Sequence, residues 1–268
     1  MKKILITGAG SYIGTSFERY ITENYPGEYV VDTVDMIDGS WRERSFAGYD
    51  SVFHVAGIAH QKETKDNAHL YYEVNRDLAI ETAMKARADG VKQFIFLSSM
   101  SVYGKDTGVI TKETNPDPKS HYGKSKWQAE QGITSLSTDA FKVCVLRPPM
   151  VYGSGCKGNY QMLIRIAEVS PVLPLYKNRR SMIFIDRLVK YVKEYIDSES
   201  CGLYIPQDDK YSCTSEILIR LREQTRKRYI TVKWLNPFIK LLAKCTVKGR
   251  KAFGDLIYQD DGSCVLSQ

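Results

Sequence analysis

The sequence predicts an α/β fold, a doubly wound parallel sheet followed by a small, mostly helical C-terminal lobe. Short apolar runs alternate with segments of helical periodicity through the first two-thirds of the chain. The runs are apolar throughout, as in parallel strands whose two faces are covered by helices. A glycine-rich turn at residues 7–14 follows the first run, and the alternation weakens after residue 153.

The elements follow in order from periodicity and turn residues. We predict strands at residues 3–7, 29–34, 51–56, 91–97 and 142–146. We predict helices at residues 12–23, 70–88, 122–133, 159–169, 185–196, 211–226 and 237–244. A nucleotide-binding domain therefore covers residues 1–152 and a small substrate-binding lobe covers 153–268, with some segments crossing back.

Composition excludes several classes of protein. The 268 residues are 43% hydrophobic and 26% charged, as in globular proteins rather than disordered or collagen-like chains. The sequence has no run of about 18 apolar residues, the length needed to span a membrane. The apolar run after Lys3 is too short for a signal peptide. We therefore expect a cytoplasmic protein without a metal site, whose scattered cysteines are free thiols: Cys144, Cys156, Cys201, Cys213, Cys245 and Cys264.

Positive charge is concentrated near the C-terminus. The chain carries 38 Lys+Arg against 31 Asp+Glu, a net charge of +7. Residues 210–251 hold 12 of these cations against Glu216 and Glu223, so the segment carries +10 and the remainder −3. Two interpretations stay open: a solvated basic face, or contact of residues 234–242 with anionic lipid. The segment has no nucleic-acid-binding motif, and we expect no nucleic-acid partner.

The glycine turn predicts a dinucleotide site. A turn this tight needs residues without a Cβ, and the helix behind it offers unpaired N–H groups to a pyrophosphate. Its placement after the first strand of an α/β chain favours this function over a purely structural turn. The predicted cofactor-binding residues are Gly8, Gly10, Ser11, Tyr12, Ile13 and Gly14.

Asp35 follows Gly14 by 21 residues, at the end of the second predicted strand. An acid at this distance usually binds a ribose hydroxyl, although a strand-end carboxylate in a turn is the structural alternative. We expect NAD as cofactor. NADP stays open if Asp35 does not hold the ribose, since Arg42 or Arg44 could then meet a 2′-phosphate.

Tyr122 and Lys126 stand at positions i and i+4 of a predicted helix, so their side chains share one face. A nearby ammonium favours the phenolate form of tyrosine. The pair could therefore serve as a general acid and base for a carbinol and its ketone.

Several motifs together resemble the extended short-chain dehydrogenases, the NAD-dependent epimerase/dehydratase group. Residues 7–14 resemble T-G-x-x-G-x-x-G, with Ser11 at the middle glycine, and residues 122–126 match Y-x-x-x-K. Residues 99–104 match S/T-x-x-V-Y-G, which implies that Ser99 is the catalytic hydroxyl beside Tyr122 and Lys126. Residues 35–38 resemble D-x-x-D, whose first acid approaches adenine. The resemblance covers about residues 2–196 and implies a Rossmann-type sheet.

Further motifs carry over more binding residues. The resemblance implies cofactor contacts at four more positions. They are Ala56 and Gly57 in the match at residues 53–57, Asn75 at the start of the long helix, and Pro148 in the L-R-x-x-x-V-Y-G match at 146–153. By position, Arg180 inherits the role of binding a nucleotide-sugar pyrophosphate, and Asn159 that of a sugar-nucleotide contact.

The resemblance implies hydride transfer at C4 of a nucleotide-linked hexose, with a UDP-sugar as partner and surface polysaccharide synthesis as context; it also allows a homodimer. Dehydratases of the group place an Asp-Glu pair after the catalytic hydroxyl, where this chain has Met100 and Ser101. We therefore expect a 4-epimerase or a 4-keto-reductase. The alternative is a catalytically silent cofactor-binding regulator, which the presence of Tyr122 and Lys126 disfavours.

Overall fold

A computed structural model describes residues 1–59, 61–259 and the two-residue strand Val265–Leu266. Cys264 lies outside the described residues. The strands are β1 (Lys2–Thr7), β2 (Tyr29–Val34), β3 (Ser51–His54), β4 (Gln93–Leu97), β5 (Gly108–Ile110), β6 (Lys142–Leu146), β7 (Met150–Tyr152), β8 (Val172–Pro174), β9 (Met182–Phe184), β10 (Gly202–Tyr204), β11 (Ile230–Val232), β12 (Leu256–Tyr258) and β13 (Val265–Leu266).

Nine α-helices lie in this described part of the chain. They are α1 (Tyr12–Asn24), α2 (Ala68–Tyr72), α3 (Leu78–Ala88), α4 (His121–Thr134), α5 (Asn159–Val169), α6 (Ile185–Asp197), α7 (Thr214–Gln224), α8 (Asn236–Cys245) and α9 (Val247–Phe253).

The main sheet has the strand order β13-β10-β6-β4-β3-β1-β2, and all its pairs are parallel except β10 with β13. The predicted parallel α/β sheet is therefore confirmed. Because β1 pairs with both β2 and β3, the direction of winding reverses at β1. In such sheets ligands bind at this reversal, beyond the carboxyl ends of the strands.

Helices cover both faces of the sheet. On one face Ala83 of α3 and Ala129 of α4 pack in a cluster with Phe94 of β4. On the other face Phe17 of α1 and Val192 of α6 pack in a second cluster. These apolar layers fix the strand ends that carry the candidate site.

Most predicted bounds differ from the observed ones by one or two residues, and for three elements the structure shows the reason for the difference. The predicted helix 70–88 is interrupted by a π-helical segment, Glu73–Asp77, in which Asn75 is buried. Strand β3 stops at His54 because the N–H groups of the next two residues both turn to the Thr7 carbonyl. Helix α7 starts three residues later than predicted because Ser212 exchanges two backbone hydrogen bonds with Arg180.

The second half of the chain forms a lobe and also returns to the sheet. Helices α5 and α7 bury Leu163, Ala167 and Leu218 around β8. Helix α6 packs against α1, and β10 pairs with β6. The division at residue 152 stays a prediction. Among the described residues, no helix is long and apolar enough to cross a membrane, and no group of His, Cys, Asp or Glu has the arrangement of a metal site.

Candidate functional site

The glycine turn is shaped for close approach of a ligand to its backbone. Gly8 has a φ of 111°, and a Cβ there would lie 2.8 Å from the Ala56 nitrogen. Gly10 also has a positive φ, 71°. Ser11 replaces the family's middle glycine as the N-cap of α1, and its Oγ accepts a hydrogen bond from the Gly14 N–H at 3.3 Å. The loop is therefore reshaped, with a capped helix N-terminus behind it.

The first turn of α1 fits a pyrophosphate. Tyr12 and Ile13 open the helix, where backbone N–H groups lack intrahelical acceptors and the helix dipole favours an anion. The Tyr12 ring packs toward the loop after β7, so that a Cβ on Gly153 would lie 3.0 Å from its hydroxyl. Burial raises the pKa of Tyr12 to about 12, and the hydroxyl contributes no charge near neutral pH.

Asp35 lies beside this turn. The carbonyl of Val34 accepts hydrogen bonds from the N–H groups of Gly8 and Ala9, at 2.9 and 3.1 Å. Asp35 is the next residue; it is exposed, and one carboxylate oxygen accepts from the Ile37 N–H at 2.9 Å. Its position suits a ribose or adenine contact at the edge of the sheet.

The two arginines considered for a 2′-phosphate are bonded elsewhere. Arg42 forms a bidentate pair with Glu81, with N···O distances of 2.5 and 2.6 Å. Arg44 donates to the Thr33 carbonyl at 3.1 Å and to the Tyr49 hydroxyl at 2.9 Å. Both guanidinium groups therefore already have hydrogen-bond acceptors within the protein.

Ser99, Tyr122 and Lys126 come together beyond the carboxyl end of β4. Ser99 caps a short 3-10 turn, Met100–Tyr103, and its Oγ lies 3.2 Å from the Ser101 Oγ. Tyr122 is half-buried near Ser99. Burial raises the pKa of the Tyr122 phenol, and the neighbouring Ser99 hydroxyl partly opposes that shift. The hydroxyl and the phenol are thus neighbours at this strand end.

Lys126 is a buried cation. Its Nζ donates to the Leu97 carbonyl at 2.9 Å and lies 4.7 Å from the centre of the Phe96 ring. Burial lowers the pKa of Lys126 to about 8, although Glu130 opposes the shift. The ammonium therefore remains largely protonated at neutral pH.

Asn75 holds the loop after β3 beside Lys126. Its side chain accepts from the Ile58 N–H at 2.7 Å and donates to the Ile58 carbonyl at 3.0 Å. A Cβ on Gly57 would lie 2.8 Å from the Asn75 Oδ1 and 3.4 Å from the Lys126 Nζ. Only glycine fits between these groups, so Asn75 fixes the loop against Lys126.

Pro148 borders the same site from β6. It is buried, and its carbonyl accepts from the Met100 N–H at 3.0 Å, beside Ser99. The Ala56 backbone contacts the glycine turn, as described above. The predicted cofactor residues thus lie along one edge, from Asp35 and the glycine turn to Ala56, Gly57, Asn75 and Pro148.

The two predicted substrate residues have different surroundings. Asn159 is exposed at the first position of α5. Arg180 is half-buried, and its Nη1 donates to the Gly254 carbonyl at 2.9 Å and to the Arg250 carbonyl at 3.5 Å. Burial lowers the pKa of this guanidinium. Arg180 thus holds the end of α9, and a pyrophosphate would have to meet its other nitrogens.

Sequence reasoning missed a buried network that begins at Ser98, next to Ser99. Ser98 donates to Glu130, which forms an ion pair with Arg147 at 2.5 Å. Arg147 also donates to the Tyr103 hydroxyl at 2.7 Å. Glu130 lies four residues after Lys126 on α4, so the spacing could have placed both side chains on one helix face.

Glu63 was also missed. Its carboxylate accepts from the N–H groups of His121 and Tyr122, at 2.9 and 3.0 Å. No local pattern marks this residue, because its partners lie almost 60 positions away in the chain.

The chain is similar in sequence to two 4-epimerases. The chain is 29% identical over 280 residues to the UDP-glucose 4-epimerase of Vibrio cholerae, covering 93% of this chain and 85% of that protein. It is 27% identical over 217 residues to the N-acetyl-alpha-D-glucosaminyl-diphospho-ditrans,octacis-undecaprenol 4-epimerase of Escherichia coli O157:H7, covering 74% and 64%.

Among solved structures, UDP-glucuronic acid 4-epimerase from Bacillus cereus, in complex with NAD, superposes with a TM-score of 0.71 at 16% identity, covering 94% of each chain. This likeness shows the fold. The profile of the NAD dependent epimerase/dehydratase family matches residues 4–198. The chain belongs to the NAD dependent epimerase/dehydratase family.

Proposed function

We propose that this protein is an NAD-dependent 4-epimerase of a UDP-linked hexose. The observation that carries the proposal is the convergence of Ser99, Tyr122 and Lys126 beside a glycine turn that fits a dinucleotide. Similarity to a UDP-glucose 4-epimerase over 93% of the chain supports the same reaction.

The residues take distinct roles in this proposal. Bound NAD supplies the hydride acceptor and later the hydride donor at C4. The Tyr122 oxygen takes the proton of the sugar O4 hydroxyl as the C4–H bond breaks, and Ser99 donates a hydrogen bond to the same oxygen. Lys126, as a nearby cation, favours the phenolate. After the 4-keto sugar rotates, Tyr122 returns the proton as hydride reaches the opposite face of C4.

The phenol needs this help because burial raises its pKa in the protein alone. Lys126 supplies positive charge on the same helix, and an oxidised nicotinamide bound at this site would add to it, so both would favour the phenolate. Tyr122 would then be a better base with the cofactor bound than without it.

A 4,6-dehydratase needs a second acid and base next to Ser99. The following residues are Met100, whose N–H bonds to the Pro148 carbonyl, and Ser101, whose N–H bonds to the Ser99 Oγ. Neither side chain is an acid or base near neutral pH. This supports hydride chemistry confined to C4.

The experiment is product analysis with purified protein. UDP-galactose and UDP-N-acetylgalactosamine are offered as substrates. We expect at least one of them to be converted to its C4 epimer without a net change in NADH absorbance. Stoichiometric NAD(P)H consumption with a UDP-4-keto-6-deoxy-hexosamine would instead show a 4-keto-reductase. No turnover with any of these, despite NAD binding, would favour a cofactor-binding regulator.

A further inference from the structure

Helix α8 exposes apolar side chains on its outward face. Trp234 in the preceding turn is 73% exposed, and Phe238 and Leu241 are 59% and 58% exposed. Phe238 and Leu241 are three residues apart on α8 and share one face, and the exposed Trp234 lies just before the helix. Ile239 is the buried residue of α8. A surface helix normally turns such a stripe toward the core, and this one turns it toward solvent.

The apolar surface continues beyond α8. A cavity of about 470 Å³ lies between α5 and the α8–α9 pair. Its apolar lining includes Met162, Leu242, Val247 and Phe253, and Val247 is itself 51% exposed. Exposed apolar patches of this kind mark protein or membrane contact sites.

The surrounding charge is of one sign. Residues 224–254 contain nine Lys or Arg and no Asp or Glu. Four exposed lysines flank the stripe: Lys233, Lys240, Lys244 and Lys248. Within the described residues, none of the four forms an ion pair with a carboxylate. The surface therefore combines aromatic and aliphatic side chains with unneutralised positive charge.

We propose that residues 233–248 form a docking surface for an anionic lipid bilayer. Trp234, Phe238 and Leu241 enter the interface between headgroups and acyl chains, and the flanking lysines meet lipid phosphates. Symmetric pairing with a second copy through this surface would place like charges against each other. The proposal goes beyond the proposed reaction and does not depend on it.

The test is binding of the full chain to vesicles at low salt. We expect co-sedimentation with phosphatidylcholine vesicles containing about one-third phosphatidylglycerol, much weaker binding to pure phosphatidylcholine, and release at about 0.5 M NaCl. Trp234 fluorescence should shift to shorter wavelength on binding, and Trp234→Phe should remove that shift.

Variants separate the two contributions. Lys240→Glu with Lys244→Glu, and separately Trp234→Ser with Phe238→Ser, should each weaken vesicle binding at least about tenfold. Lys92→Glu with Lys190→Glu makes the same change in net charge at exposed lysines elsewhere and should retain binding. Met84→Ser, at a residue 55% exposed on α3, is the apolar control.

Absence of vesicle binding would overturn the proposal. Equal loss in the Lys92 and Lys190 control would also overturn it, because net charge alone would then explain the binding. If Trp234→Ser with Phe238→Ser turns a dimer into a monomer and vesicles do not bind, the surface is a contact between copies instead. Each result can be read without any measurement of turnover.

Discussion

The carboxylate of Glu63 holds the start of the helix that carries Tyr122. Its two oxygens accept hydrogen bonds from the backbone N–H groups of Tyr122 and His121, at 3.0 and 2.9 Å. A negative group at a helix N-terminus is stabilised by the helix dipole. Glu63 thus ties the loop after β3 to α4, and we expect it to position Tyr122.

Glu63→Gln should lower kcat about tenfold, because weakening charged hydrogen bonds by about 1.4 kcal/mol displaces the phenol from its working position. The dissociation constant for NAD should stay within about twofold, since the change lies away from the glycine turn. Steady-state kinetics and NAD titration check both values. Glu23→Gln, on the exposed end of α1, is the matched control. Unchanged kcat would contradict a positioning role.

Lys126 is predicted to reduce stability for the sake of activity. Burial holds its pKa at about 8, below the ordinary 10.5. Below pH 8 Lys126 is protonated in both states, but the buried ammonium is less favourable than the solvated one. It therefore lowers the free energy of unfolding by about 3 kcal/mol. That cost is fully present below pH 8 and disappears as pH rises toward 10.5.

Lys126→Met should therefore abolish turnover and raise the free energy of unfolding at pH 7 by about 2 kcal/mol, after the loss of one hydrogen bond to Leu97. Urea unfolding at pH 7 measures the change. Lys124→Met, at an exposed position of the same helix, is expected to have little effect on either quantity. A less stable Lys126→Met protein would show that the buried ammonium stabilises the fold.

His54 predicts sensitivity to acid. It is fully buried, its Nδ1 lies 2.8 Å from the Thr7 Oγ1, and burial followed by the charge of Lys126 lowers its pKa from 6.5 to about 3. Above pH 6.5 neither state binds the proton. As pH falls below 6.5 the unfolded chain binds it and the folded protein does not, so stability is lost.

The loss attributable to His54 should reach about 2 kcal/mol at pH 5. Urea unfolding at pH 7 and pH 5 measures the free energy of unfolding at each pH. Between these two values His54→Gln should lose about 2 kcal/mol less stability than the unaltered protein. His69→Gln, at an exposed position of α2, should keep the full sensitivity. Equal pH dependence in all three proteins would exclude His54 as a source.

The buried pair of Glu130 and Arg147 should be strongly coupled. Their side chains are 4% and 6% exposed, so Arg147→Leu leaves an unpaired buried carboxylate and should cost about 3–5 kcal/mol. A double-mutant cycle with Glu130→Leu should give a coupling energy of at least about 2 kcal/mol. The exposed pair of Lys190 and Glu194, 4.0 Å apart, should couple by less than about 0.5 kcal/mol. If the effects of the two substitutions on the free energy of unfolding simply added, the buried charges would not depend on each other as proposed.

Local patterns were sufficient for much of the fold. Continuous apolar strands and the glycine turn predicted the parallel sheet, and strand β2 and helix α5 have the bounds expected from the sequence. Tyr122 and Lys126 both lie on α4, as the helical spacing predicted. These features depend on residues close together in the chain, and the spacing of apolar residues in the sequence is enough to predict them.

Long-range contacts explain what sequence reasoning missed. Glu63 is a loop acid whose importance comes from Tyr122, 59 residues later. The π-helical segment around Asn75 depends on hydrogen bonds to Ile58 and Ser125. Arg180 has the motif position of a phosphate ligand. The structure shows that its guanidinium instead donates a hydrogen bond to the Gly254 carbonyl. No local pattern encodes any of these partners.

The proposed reaction is tested most directly by following hydrogen at C4. UDP-galactose deuterated at C4 should yield the C4 epimer with deuterium retained at C4, because hydride leaves and returns on cofactor that stays bound. Tyr122→Phe should bind NAD and give no epimer. Epimer whose C4 carries hydrogen from solvent, or full activity in Tyr122→Phe, would contradict hydride transfer at C4 with Tyr122 as the base.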